Sequence, residues 1–185
     1  MPRNLDDEVL MMIKEKNGVV QTVAFKTYVN AKKAAAYTAK SNEIIVDVAT
    51  KEGFGILPRR ALTDLSAEAR EQYNQKYTAI TEKAKERIVK EVIPTTPPVD
   101  VADFVDHIDY LVKKIGINHV GISSDFDGGG GIDGWNDASE TINVTVELVR
   151  RGYSKRQIKK LWGENLLRVL DDVQDVAKKI QAGRL

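Results

Sequence analysis

Asp125 and Asp127 are the residues of this sequence best placed to do chemistry. They fall in Gly121-Ile-Ser-Ser-Asp-Phe-Asp-Gly-Gly-Gly-Gly131, an apolar run closed by carboxylates and followed by glycines. Such a run reads as a buried strand, His119 to Phe126, running into a flexible loop, Gly128 to Gly134. A carboxylate at the end of a buried strand sits where parallel α/β barrels place catalytic groups. From there Asp125 could orient or protonate a reacting group. Period-two alternation along the strand would carry Asp127 to the same side. On spacing alone, capping of the loop or of the next helix is the more ordinary role for both.

The residues downstream of this loop exclude other chemistries. No Gly-Lys-Ser/Thr comes after the glycines, so it is not a phosphate-binding P-loop. About eight residues separate the glycines from Asp137, where the next helix signal begins, so it is not a dinucleotide fingerprint. Asp125 and Asp127 fit the first two positions of a calcium loop, but the twelfth is Asn136 rather than glutamate.

Arg3 and Tyr28 come next. A guanidinium just ahead of a helix N-terminus suits a bidentate grip on a carboxylate, assisted by the helix dipole, although a terminal arginine is more commonly a solvated charge. Tyr28, just beyond the first strand, offers a phenolic hydrogen bond, with an ordinary strand-end aromatic as the plain alternative. His107 and His119 do not form a His-x-x-x-His pair, and they read as packed or capping imidazoles. Trp135 and Trp162 read as core or loop anchors. Asn143-Val-Thr145 is a weak glycosylation sequon.

The elements that must position these groups can be read from pattern. Asn4 reads as the cap of a first helix, with Asp6 and Asp7 at its positive end and an apolar stripe at Val9, Leu10 and Ile13; Asn17-Gly18 ends it. Val19 to Phe25 is a short β-branched run, read as a buried strand. Residues 27–62 favour helix through Ala34-Ala35-Ala36, with Ile44 to Val48 as a competing strand. Leu65 to Val92 is a long polar helix suited to the surface, and Pro94 to Pro98 a stiff connector. Asp100 and Asp103 stand at capping-box spacing ahead of the buried face of a helix ending at Gly116. Asp137 to Glu140 and Ser154 to Gln157 repeat that signature, and a last helix runs from Glu164 to about Lys179. Two central strands about 100 residues apart, among about six helices, make an α/β protein. They do not make a self-sufficient sheet, and a complete (β/α)₈ barrel takes about 250 residues.

Composition narrows the partners. The 185 residues carry 28 basic and 27 acidic side chains, net +1, which gives no electrostatic basis for binding nucleic acid. The absence of cysteine excludes disulfides, thiolate metal sites and a cysteine nucleophile. No apolar run approaches the roughly 20 residues of a membrane helix, and no signal region is present. As it stands the chain reads as cytoplasmic, with the intact protein's compartment left open.

Taken together, Arg3-Asn4-Leu-Asp-Asp7, His107-Ile-Asp109, His119-Val-Gly-Ile-Ser-Ser-Asp-Phe-Asp-Gly128, Gly134-Trp-Asn-Asp-Ala-Ser139, Leu148-Val-Arg-Arg-Gly-Tyr-Ser154 and Asn165-Leu-Leu-Arg-Val169 resemble the membrane (renal-type) dipeptidase family, in its C-terminal half. The resemblance runs nearly the whole chain and is least diagnostic over 27–95. It implies the C-terminal portion of a (β/α)₈ TIM barrel of the metal-dependent hydrolase type. On this expectation residues 1–185 form a single partial barrel domain with a helical insertion at about 27–95. The activity implied is hydrolysis of dipeptides by two zinc ions. Arg3 and Tyr28 match the family's substrate-holding arginine and tyrosine, and Asp125 its catalytic aspartate. The family's metal ligands fall before the matching region, so the resemblance implies a fragment without metal ligands, catalytically incomplete by itself.

Three functions are open to such a chain. The first is a zinc metallodipeptidase represented by a C-terminal fragment. The second is a non-catalytic partial barrel that needs a partner chain, either a second copy or a complementing N-terminal half, or that binds peptide as a remnant. The third, and weakest, is phosphate or sugar binding at the glycine loop.

Overall fold

The computed structural model describes residues 4–184. In chain order the elements are α1 (Asp7–Glu15), β1 (Val20–Val23), α2 (Lys26–Val29), α3 (Ala31–Lys51), α4 (Arg59–Thr63), α5 (Ala67–Arg87), α6 (Val101–Ile115), β2 (Val120–Ser123), α7 (Thr141–Arg150), α8 (Lys155–Lys159) and α9 (Asn165–Gln181). A π turn, Ile88–Val92, continues α5, and a second, Lys160–Glu164, joins α8 to α9. The chain folds as two compact units, Met1–Ala31 with Val99–Leu185, and Lys32–Pro98.

The first unit holds the sheet. β1 and β2 are parallel, with Val20 opposite Val120 and Val23 opposite Ser123. Alternation sends Thr22, Val120 and Ile122 to one face, where all three are buried. That face packs on α6, whose Phe104, Val105, Ile108, Leu111 and Ile115 are buried at helical spacing. The start of α6 is fixed by a complete capping box. The Asp103 amide donates to Asp100, and the Asp100 amide donates back to Asp103. Gly116, at φ 91°, ends it in a region that costs a side chain energy but not glycine.

The entries to both strands are tied to α9. Asn165, 3% exposed, donates through one amide nitrogen to the carbonyls of Ile117 and Val120, at 2.7 and 2.8 Å. One turn on, Arg168 donates to the Asn17 carbonyl at 2.8 Å and the Asn118 carbonyl at 3.1 Å. Polar backbone that would otherwise be stranded at the sheet's edge is satisfied there, which buried carbonyls require.

Several local expectations need correcting. The cap of α1 is Asp6, whose carboxylate accepts from the Val9 amide at 2.9 Å. Asn4 instead donates to the Tyr28 carbonyl at 3.0 Å. Asp137 caps only a short 3₁₀ turn, Ala138–Glu140. The carboxylate of Glu140 accepts from the amide of Asn136, one residue ahead of the cap position a capping box would use.

The second unit is helical. Ile44 to Val48 lie within α3 rather than in a strand: the alanine-rich start has strong helix propensity, and ion pairs Lys40–Glu43 and Asp47–Lys51 fall at i,i+3 and i,i+4. Ala34, Ala49, Ile80 and Ala84 are its buried apolar contacts within α3 and α5. Lys83 pairs with Glu52 at 2.7 Å, and Arg87 with Asp47. Phe54 and Tyr77 flank the ring of Tyr73, at 5.2 and 6.1 Å.

Candidate functional site at the strand ends

β1 gives way at Phe25 to the short helix α2, which sets Tyr28 close to Phe25. Their rings stack with centroids 4.6 Å apart at 23°. β2 ends at Ser123, and two residues later Asp125 takes φ 59°. A non-glycine residue there is uncommon, and aspartate is among those that tolerate it best. The expected alternation therefore stops before Asp125, and nothing places Asp127 by strand geometry; it is exposed on the following turn.

The glycines explain how this turn closes. The amides of Gly128 and Gly130 both donate to the Asp125 carbonyl, at 3.1 and 2.7 Å. A Cβ on Gly128 would overlap the Asp125 carboxylate, and one on Gly130 would overlap the Ser124 carbonyl. The Gly131 amide then donates to the Ala24 carbonyl at 2.9 Å, so the loop after β2 is stitched to the segment after β1. Among the described residues no hydrogen bond restrains the Asp125 carboxylate.

As a result Tyr28 and Asp125, 97 residues apart in sequence, line one recess of about 530 Å³ with Val23, Phe25, Ser123 and Gly128. Arg3 lies outside the described residues. Sequence reasoning missed Phe25, whose ring backs Tyr28, although an aromatic at the end of a β-branched run was a visible signal. It also missed the specific duties of Gly128 and Gly130, which needed the fold of the loop.

The histidines are elsewhere. His119 sits at the opposite end of β2, its Nδ1 2.9 Å from the Gly18 carbonyl. His107, on α6, is buried enough that its pKa falls below the usual imidazole value, and its Nδ1 has no hydrogen-bond partner. It lines a second cavity, about 300 Å³, with Asn4, Leu10, Thr22, Tyr110 and others. Asp109, two residues along the helix, turns away: it accepts from Tyr153 at 2.6 Å and from Arg151 at 2.7 Å. His107-Ile-Asp109 is thus not a ligand pair. Among the described residues no three His, Cys, Asp or Glu side chains gather as a metal would require, so this donor set does not fit a two-zinc centre.

Parallel strands, helices packed on one face, and a recess at the strand ends holding a carboxylate and a phenol define an α/β protein with a strand-end site. The chain belongs to the membrane dipeptidase family (Peptidase family M19), whose family model matches residues 1–184. It is 48% identical over 79 residues to dipeptidase ataJ of Aspergillus terreus, covering 42% of this chain and 19% of that protein. It is 43% identical over 81 residues to dipeptidase aclJ of Aspergillus oryzae, covering 43% and 19%. It also resembles the crystal structure of the probable dipeptidase PvdM from Pseudomonas aeruginosa, with TM-score 0.59 and 38% identity, over 94% of this chain and 41% of that one. The chain therefore spans well under half the length of these relatives.

Proposed function

We propose that this chain is the substrate-holding part of a dipeptide hydrolase, folded as the C-terminal portion of a (β/α)₈ barrel with Lys32–Pro98 as an insertion. The observation that carries this reading is the shared recess of Tyr28 and Asp125. In it the Tyr28 hydroxyl donates to a substrate oxygen, and Arg3, ahead of α1, grips the free carboxylate of the dipeptide. Asp125 carries a proton from the attacking water to the departing nitrogen as the peptide C–N bond breaks, leaving an acid and an amine. Its freedom from hydrogen bonds, and the room that Gly128 leaves it, suit a group that must change partners. The described residues give two zinc ions no donor set, so the nucleophile and its activation are assigned to the part of the family fold outside this chain.

The test is dipeptide hydrolysis by this chain combined with the complementary portion of an M19 fold, with Asp125→Asn as the control. Turnover should fall at least a hundredfold in the variant, within the range of a general acid–base group. Equal turnover would remove Asp125 from the chemistry. The missing donor set also favours a second reading, in which the chain binds peptide without cleaving it. Dipeptide binding to the chain alone by calorimetry, unaffected by chelator, would favour that reading.

A further inference from the structure

We propose that Asn4 is a positioning residue for the substrate carboxylate. It ties the segment that carries Arg3 to the backbone of Tyr28, and so fixes the spacing between the two groups that hold the dipeptide. The inference rests on the substrate-holding reading above and adds to it a residue that itself touches no substrate.

Asn4 leaves the capping of α1 to Asp6, and its side chain is directed elsewhere. The amide nitrogen donates to the Tyr28 carbonyl at 3.0 Å, across 24 residues of sequence. α2 is a single turn, Lys26–Val29, and the last carbonyls of a helix have no amide partner within it. Asn4 supplies a donor there, at the residue whose side chain lines the strand-end recess.

Burial does not hold the segment around Asn4. Asn4, Leu5 and Asp6 are all exposed, Leu5 at 47%, so apolar packing contributes little to where it lies. Polar ties act instead. Asp7 accepts from Tyr110 and pairs with Lys114, which anchors the start of α1 to α6. Asn4 then anchors the chain to α2. Arg3 is one peptide link further, about 3.8 Å between α-carbons, so the bond at Asn4 limits where its guanidinium can start. A bidentate grip on a carboxylate depends on that placement.

Tyr28 is a firm point of reference because its ring is held from the other side. It stacks on Phe25. Phe25 forms an isolated parallel bridge with Gly131, and a Cβ on Gly129 would lie 3.5 Å from the Phe25 ring. A continuous set of contacts thus runs from the loop that carries Asp125, through Phe25 and Tyr28, to Asn4. Misplacing a substrate-positioning group by about 1 Å can cost about a hundredfold in rate, so one exposed hydrogen bond matters at this point.

The test is calorimetric binding of alanyl-alanine, and of its C-terminal amide, to the full chain and to Asn4→Ala and Asn4→Leu. The amide lacks the carboxylate that Arg3 grips, so the two ligands isolate that contact. The parent chain should bind alanyl-alanine about tenfold more tightly than the amide, the scale of a charged hydrogen bond. Asn4→Ala should weaken alanyl-alanine about fivefold and leave the amide within about twofold. Asn4→Leu, close to asparagine in size but without a donor, should do the same. A merely structural role would loosen both ligands equally. Equal weakening of the two ligands, or an undiminished preference for the carboxylate in either variant, overturns the proposal and leaves the substrate-holding reading intact. A parent chain that binds both ligands alike, or neither, overturns that reading and this inference with it.

Discussion

The carboxylate of Asp125 occupies the space that a Cβ on Gly128 would fill, so the two residues cannot both carry a side chain in this geometry. The glycine two positions on is constrained differently: a Cβ on Gly130 would meet backbone, overlapping the Ser124 carbonyl and lying 2.6 Å from that of Asp125. A carboxylate can rotate away; a hydrogen-bonded turn cannot.

Gly128→Ala should therefore cost less than about 1 kcal/mol, the scale of one displaced side-chain rotamer, while moving the Asp125 carboxylate away. Gly130→Ala should cost about 2 kcal/mol, the scale of an overpacked backbone. Urea melts of both variants check this pair, with the carboxyl carbon shift of Asp125 as the local readout. Equal melts for the two variants would contradict the geometry.

Asp125 itself carries backbone strain at φ 59°. Asp125→Gly should be neutral or stabilising, by up to about 1 kcal/mol, because glycine enters this region freely. Asp125→Ala should destabilise by about 1 kcal/mol. Asp125→Asn should leave the melt unchanged. A residue retained for stability would show the reverse order, so the series separates structural from chemical reasons for an aspartate here.

Much of this architecture was legible in the sequence, and the reasons differ by element. The capping boxes at Asp100 and Ser154 were visible because both partners lie within four residues, and both form as spaced. The carboxylate at Asp125 was visible because a strand of Val, Gly and Ile runs straight into it. Its left-handed backbone was not, since the trigger is the pair of amides from Gly128 and Gly130 folding back on its carbonyl. That Tyr28 and Asp125 share a recess was not readable from spacing either; it depends on the Gly131 to Ala24 bond across more than 100 residues. The strand alternative for Ile44 to Val48 lost because β-branched residues express strand preference only where a neighbouring strand exists to pair with.

Thr22, 3% exposed, offers a test of how a buried polar group bears on stability. Its hydroxyl is buried without a partner, so Thr22→Val, equal in shape, should stabilise the isolated chain by about 1 kcal/mol. Thermal melts of the parent chain and the variant give the comparison. A destabilised free chain would mean that the hydroxyl is satisfied.

The ion-pair cluster between α6 and α7 contributes to how the fold responds to acid. Glu147 is bonded by Arg150 at 2.7 Å and by Arg151 at 2.7 Å, and these guanidiniums hold its carboxyl down to about 2. Arg151 also reaches Asp106, Asp109 and the Ala102 carbonyl on α6, so it ties the two helices together. Arg150 does not, and its side chain is 68% exposed against 18% for Arg151. Solvent screens the Arg150 pair to a few tenths of a kcal/mol, so Arg150→Ala should barely move the melt. Arg151→Ala should cost more, about 2 kcal/mol, because it removes charged hydrogen bonds to Glu147, 12% exposed, and to the Ala102 carbonyl. A carboxyl whose folded pKa lies below its unfolded value stabilises the fold above the unfolded pKa and loses that contribution as pH falls towards the folded one. For Glu147 the loss should run from about pH 4.5 down to about pH 2. Glu147→Gln should flatten that limb of the stability curve, measured by urea titration at successive pH values. An unchanged acid limb in this variant would assign the acid response to other carboxylates.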